Sequence, residues 1–185
     1  MKGVVFNEFL EMVEQEFGIL TLDEVVTAGD PGHGGVYTSV GTYDFDELVA
    51  MLGALHESTG IPVPDLLYSF GRYLFEAFLR RFPELIGEET DTFTFLSGLE
   101  GIIHAEVRKL YPDAELPTFI EDRVNDDTLE MVYESPRRLG VFAKGLMEAC
   151  VDHYGENIDV EMEEVPGSDG ARVLFRLTRV TDGAG

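Results

Sequence analysis

The hydrophobic period of this sequence changes between residues 92 and 137, and that change restricts the folds open to it. From Thr92 to Leu110 the apolar residues Leu96, Leu99, Ile103, Val107 and Leu110 recur at three- and four-residue spacing. This predicts one helix with a buried stripe and His104 on its flank. Tyr111-Pro112 ends it, because proline has no amide hydrogen for the ladder and pushes the preceding residue out of α geometry. Past the polar turn Asn125-Asp126-Asp127, Thr128 to Ser135 reads as a strand. If the extended chain runs through Pro136, the period of two puts Tyr133, Ser135 and Arg137 on one face. A phenol, a hydroxyl and a guanidinium together suit a carboxylate or phosphate.

Upstream the spacing is helical. Phe6, Phe9, Leu10, Val13 and Phe17 form a stripe ending at Gly18, and the capping-box pattern Thr21-Leu-Asp-Glu24 predicts a second short helix. The glycine-rich stretch 29–35 reads as a loop with a solvated His33. Asp44-Phe-Asp-Glu47 opens a third helix with Phe45, Leu48, Val49, Leu52 and Leu55 inward and His56 at its polar end. Beyond Pro62 and Pro64 a wide apolar face runs from Leu66 to Phe82, interrupted by Gly71, which marks either a close helix contact or a hinge. Downstream, 118–124 and 128–135 read as a hairpin and 137–154 as a helix. Ile158, Val160 and Met162 then form a second hairpin with Val173, Phe175 and Leu177. Helices followed by strand-strand-helix-strand-strand make an α+β fold with a four-stranded antiparallel sheet.

The formal charge is −23, and Lys2 is the only basic residue before Arg72. Such a chain does not suit nucleic acid or an anionic membrane, and any positive pocket has to come from its later part. The acidic excess itself reads as solubility or adaptation to salt. Cys150 has no internal disulfide partner, and no Cys/His cluster has zinc spacing. With no signal-like start and no bilayer-length apolar run, a soluble cytoplasmic protein is expected.

No nucleophile elbow, phosphate loop, dinucleotide fingerprint or His-Glu-x-x-His pattern occurs. Cys150 falls on an apolar helix face, where a thiol is normally inert, and a pairing with His153 is not expected. What stands out is a histidine beside an apolar stripe, thirteen Phe residues, and donors at a strand end. A haem uses all three: an apolar slot, an axial imidazole, and donors for its propionates. Taken alone, such residues are more often an ordinary helix-flank histidine and polar strand-end surface residues than a ligand set.

Met1-Lys-Gly3, the segment Ile103-His-Ala-Glu-Val-Arg-Lys-Leu-Tyr-Pro112 and the motif Tyr133-x-Ser135-x-Arg137 resemble the haem nitric oxide/oxygen binding (H-NOX) family, related to the haem domain of soluble guanylate cyclase, over essentially the whole chain. The resemblance implies one domain over 1–180 with haem b (iron protoporphyrin IX) between a helical distal part, about 1–61, and a proximal part with the sheet, about 62–180. Residues 181–185 would be a tail. It makes His104 the proximal iron ligand and Tyr133, Ser135 and Arg137 the propionate partners, with Pro117 pressing on the porphyrin.

By the same resemblance Val5, Phe9, Leu74, Phe78, Phe142 and Leu146 form the distal wall. Members that retain oxygen carry tyrosine at the position of Phe142 and polar residues at those of Phe9 and Leu74, and all three are apolar here. The resemblance thus implies a sensor, not an enzyme, that binds nitric oxide (and carbon monoxide) and excludes oxygen. Its signal would pass through release of His104 and a subdomain shift to a separate protein such as a histidine kinase or a cyclic-di-GMP enzyme. Gly140 stands where a zinc-binding variant has its first cysteine, so thiol sensing through zinc is not expected. The rival readings are an oxygen-binding haem protein, a haem enzyme such as a peroxidase, and a haem-free interaction domain.

Overall fold

Hydrophobic spacing and caps set most element boundaries in the structure, a computed structural model that describes residues 1–83 and 91–180. The expected tail at 181–185 lies outside the described residues. Helix α1 (Gly3–Phe17) ends at Gly18, whose φ of 85° lets α2 (Ile19–Gly29) begin at once. Thr21 is therefore inside α2 and not its cap: its hydroxyl donates to Phe17 O at 3.1 Å. The loop after α2 is held by rings, with Tyr37 stacked on Phe6 at 4.4 Å and Tyr43 edge-on to Tyr37 at 4.7 Å. His33 is not merely solvated, since its Nδ1 lies 3.2 Å from Glu47 Oε1 and its ring meets Tyr43. Asp44 caps α3 (Phe45–Thr59) by accepting from Asp46 N at 3.1 Å. Met51 takes the inward position expected of Val49, because 48, 51, 52 and 55 share one helical face and 49 falls outside it.

Helix α4 (Val63–Arg81) packs along α7 (Gly140–Tyr154) at backbone contact. A Cβ on Gly71 would stand 2.2 Å from Phe142 O, and one on Gly145 would stand 2.2 Å from Tyr68 O. Close helix contact is thus what Gly71 provides. Two cores flank this seam. One joins α1 and α3 through Phe6, Phe9, Met12 and Leu52 and receives Phe70 and Leu74 from α4. The other joins α7 to the sheet through Met147, Leu129, Met131 and Phe175 and receives Phe75 from α4.

The sheet comprises β1 (Thr118–Asn125), β2 (Thr128–Glu134), β3 (Ile158–Glu164) and β4 (Arg172–Arg179) in the antiparallel order β1-β2-β4-β3. Between β2 and α7 the chain does not stay extended through Pro136. It turns, Arg138 N donating to Ser135 O at 3.2 Å with Arg138 at φ 56°, so α7 starts at Gly140 and not at Arg137. Among the described residues no helix is long and apolar enough to cross a membrane.

The stretch 92–110 is not one helix. It is α5 (Thr92–Ser97), a π-helical turn (Leu99–Ile103) and α6 (His104–Leu110). The wider turn, in which His104 N donates to Leu99 O, inserts a residue and rotates α6 relative to α5. The predicted stripe is broken accordingly: Leu96 is buried, Leu99, Ile103 and Val107 are half-buried, and Leu110 is exposed. Phe93 anchors the start of this segment to the sheet, with the Arg123 and Arg179 guanidinium carbons 4.5 and 4.6 Å from its ring centre.

Lys2 ties the chain's start to the turn after α6. Its Nζ donates to Val40 O (2.8 Å), Thr42 Oγ1 (2.8 Å) and Asp113 Oδ1 (2.7 Å). The bonds from Lys2 and then Thr42 hold the Asp113 carboxyl down at about 2, from an ordinary 3.8. A carboxyl depressed on folding stabilises the fold above its unfolded value and loses that effect as pH falls through its folded one. Asp113→Asn should therefore melt below the parent protein above pH 4, and the gap should close by about pH 2 in thermal melts across that range. Gly71→Ala forces a methyl group onto the Phe142 carbonyl and should cost about 1–3 kcal/mol, read by denaturant unfolding.

Candidate functional site

A cavity of about 280 Å³ opens beside the seam, walled by the first residues, α4, the 92–110 segment, the turn after it, the inner edge of β1 and β2, and α7. Ten of the eleven residues singled out from the sequence line it: Val5, Leu74, Phe78, Phe142 and Leu146 from the helices, together with His104, Pro117, Tyr133, Ser135 and Arg137. Phe9 does not. It is fully buried behind the wall, its ring edge-on to Phe70 at 5.3 Å. Every lining residue from α1, α4 and α7 is apolar except Cys150, whose thiol burial pushes up to about 12 and so keeps protonated and inert.

His104 opens α6 just after the π turn and is 7% exposed. Its Nδ1 lies 2.9 Å from Glu100 Oε1, one helical turn back. With a carboxylate there, Nδ1 carries the hydrogen, which leaves Nε2 as the ring nitrogen with a lone pair. No group among the described residues bonds Nε2. Burial lowers the His104 pKa, opposed by the Glu100 charge, so the neutral imidazole that a metal requires is favoured. The described residues contain no group of three or more His, Cys, Asp or Glu side chains able to hold a metal ion. A metal on His104 must bring its other ligands with it, as a porphyrin does.

The donors converge by a different route from a shared strand face. Tyr133 is the last inward residue of β2, and its hydroxyl accepts from Leu139 N at 3.1 Å, bridging the turn into α7. Ser135 Oγ accepts from Arg137 N at 3.2 Å inside that turn. Arg137 reaches out of it, Nη1 donating to Glu115 O (2.7 Å) and Nη2 to Glu115 Oε2 (2.5 Å). It also lies 5.8 Å from the Phe45 ring of α3, so it spans from the sheet side to the helical side. Lys2, Thr42 and Asp113 complete the polar rim. A buried neutral imidazole, an apolar wall and a cationic rim form a donor set that fits a haem.

Glu100, Phe119, Asp113 and Glu115 belong to the site without having stood out in the sequence. Glu100 had a readable signal, standing four residues before His104 and eight before Arg108 on one helical face. Asp113 and Glu115 had none, being two carboxylates among 36 acidic residues.

The Haem-NO-binding family model matches residues 2–162. Among solved structures, the unliganded Fe(II) H-NOX protein from K. algicida is 35% identical over the whole of both chains, with a TM-score of 0.91. The H-NOX protein from Shewanella woodyi, determined in the Fe(II)CO state, is 38% identical with a TM-score of 0.83, over 100% of this chain and 97% of that one. An H-NOX protein from S. oneidensis in the Fe(II)NO state is 25% identical with a TM-score of 0.89, over 98% of this chain and all of that one. No curated protein matches the sequence. With a family model spanning most of its length and a cavity whose donors suit the group that model is named for, the chain belongs to the Haem-NO-binding, or H-NOX, family of haem-based gas sensors.

Proposed function

We propose that this H-NOX protein binds haem b, senses nitric oxide at the ferrous iron and excludes oxygen. The observation that carries the reading is a pairing: a buried His104 with Nε2 free of protein partners among the described residues, and a helical wall without a strong hydrogen-bond donor. Haem supplies the iron that binds the gas. His104 would hold the iron through Nε2, its ring oriented by Glu100. Tyr133, Ser135 and Arg137 would hold the propionates at the rim, and Pro117, just before β1, would bear on the porphyrin. Oxygen on ferrous iron is strongly polarised and needs a donor to stay, whereas nitric oxide and carbon monoxide do not. Phe142, Leu74 and Phe78 offer none. The same lack weighs against peroxidase chemistry, which needs distal acid and base groups.

Release of His104 would carry the signal, freeing α6 to move and letting a helical part, about 1–61, shift against the remainder, 62–180. A separate partner in the cytoplasm, a histidine kinase or a cyclic-di-GMP enzyme, would receive it. Solved relatives holding nitric oxide and carbon monoxide support the choice of gases.

The test is the absorption spectrum of the reduced, haem-supplied protein alone, in air and with nitric oxide. A five-coordinate ferrous haem that ignores air and loses its histidine to nitric oxide is expected. A stable oxygen complex would defeat the selectivity, and a folded protein that takes up no haem would defeat the whole reading. Phe142→Tyr places a phenol in the wall and should slow oxygen loss by about tenfold or more, as a hydrogen bond worth about 1.5 kcal/mol implies, while leaving nitric oxide binding in place.

A further inference from the structure

Glu100 joins three elements through one carboxylate. Oε1 lies 2.9 Å from His104 Nδ1 and also accepts from Phe119 N at 2.9 Å, while Oε2 is 3.6 Å from Arg108 Nη2. It belongs to the π turn, whose wider winding directly precedes His104. Phe119 belongs to β1, the edge strand, whose outer side has no neighbouring strand among the described residues to satisfy its amides. The Phe119 ring then stands 6.0 Å from the His104 ring and 5.5 Å from that of Tyr133. Tyr133 in turn receives the Leu139 amide at the start of α7. The imidazole is thus connected through Glu100 to the sheet, and through Phe119 and Tyr133 toward α7.

We infer that Glu100 is a positioning residue with two tasks: it sets the orientation and donor strength of His104, and it couples displacement of His104 to the β1 edge through the Phe119 amide. Both tasks rest on His104 being the axial ligand. A carboxylate on the outer nitrogen of a ligating histidine fixes its tautomer and makes the other nitrogen a stronger donor. One oxygen serves both His104 and Phe119, so the imidazole cannot travel far with its partner unless Glu100 leaves Phe119 or draws β1 along. Arg108, one turn after His104, holds the other carboxylate oxygen of Glu100 at 3.6 Å in a half-exposed pair. At the far end of the segment the Arg123–Phe93–Arg179 stack fixes α5. Motion then concentrates in the π turn and α6, where Glu100 is the link to the sheet.

The experiment compares the haem-loaded ferrous protein with Glu100→Gln and Glu100→Ala. Glutamine keeps an oxygen acceptor but removes the charge; alanine removes both bonds. The iron–histidine stretching band, read by resonance Raman, should move to lower frequency in Glu100→Gln and further in Glu100→Ala. A merely structural role would not grade the band with the charge of the side chain. Hydrogen exchange at the Phe119 amide should rise at least tenfold in Glu100→Ala and stay protected in Glu100→Gln. In the parent protein, exchange there should rise on addition of nitric oxide. A band unmoved in both variants overturns the donor-strength task, and a Phe119 amide indifferent to nitric oxide overturns the coupling. Both results require haem with a normal ferrous spectrum in the parent protein, so they leave the functional reading intact. Failure of the parent protein to take up haem defeats the two together.

Discussion

The contact between α4 and α7 is the constraint on which the rest of the structure depends. Two helices meet at backbone distance only where neither carries a side chain, and Gly71 and Gly145 leave that space reciprocally, each facing a carbonyl of the other helix. Glycine inside a helix costs about 1 kcal/mol relative to alanine, and the chain bears this twice at one crossing. In return α4 serves both cores, giving Phe70 and Leu74 to one and Phe75 to the other. The cavity lies along the flank of the same seam, lined by Leu74 and Phe78 on one side and Phe142 and Leu146 on the other. A bulky pair at the crossing would spread the helices and open that wall.

The fold was largely legible because its signals are local. The period of two in β2 and β4 buries Leu129, Met131 and Tyr133 and then Val173, Phe175 and Leu177, as alternation requires. Asp44 begins a helix because its side chain reaches the Asp46 amide. Departures arose where a tertiary or special backbone choice won. Gly18 made the Thr21 cap unnecessary. A π turn broke the 92–110 stripe, and nothing in apolar spacing distinguishes a broken stripe from a helix whose side chains line a cavity. The site was legible in composition but not in path: Tyr133, Ser135 and Arg137 do reach one cavity, though through a turn at Pro136 and not along a strand. Phe9 kept its helical face yet faces Phe70, because position on α1 does not reveal which side of a face borders the cavity.

Charge explains why the rim is built as it is. The chain has 13 basic residues and 36 acidic ones. Arg80 rests on the Tyr73 ring and Arg123 on Phe93 and backbone carbonyls; the other eleven cations each pair with a carboxylate. In so acidic a chain a guanidinium free to meet an anion must be one whose existing pair is weak. Arg137 meets that condition, because Glu115 is 80% exposed and exposed ion pairs are worth about 0–1 kcal/mol. The Glu115 carbonyl fixes the guanidinium by a bond that does not depend on charge, so on the proposed reading a propionate would share or replace the Glu115 carboxylate without losing Arg137's position. Lys2 is the opposite case. It is nearly buried, with three acceptors at 2.7–2.8 Å, and serves the fold, not an incoming ligand.

These two kinds of cation divide the cavity's surroundings into fixed and yielding parts. Lys2, Thr42 and Asp113 lock the turn after α6 to the chain's start, and Arg123 and Arg179 lock α5 to the sheet. Between these anchors lie the π turn and α6, short, partly exposed and tied to the β1 edge by Glu100. A two-state element needs fixed ends and a middle with few bonds to break. The middle here carries the histidine, so the proposed ligand bond would pull on the segment between the two anchors. That arrangement suits a sensor better than a catalyst, since a catalyst gains from holding its first contact rigid and a sensor gains from letting it move.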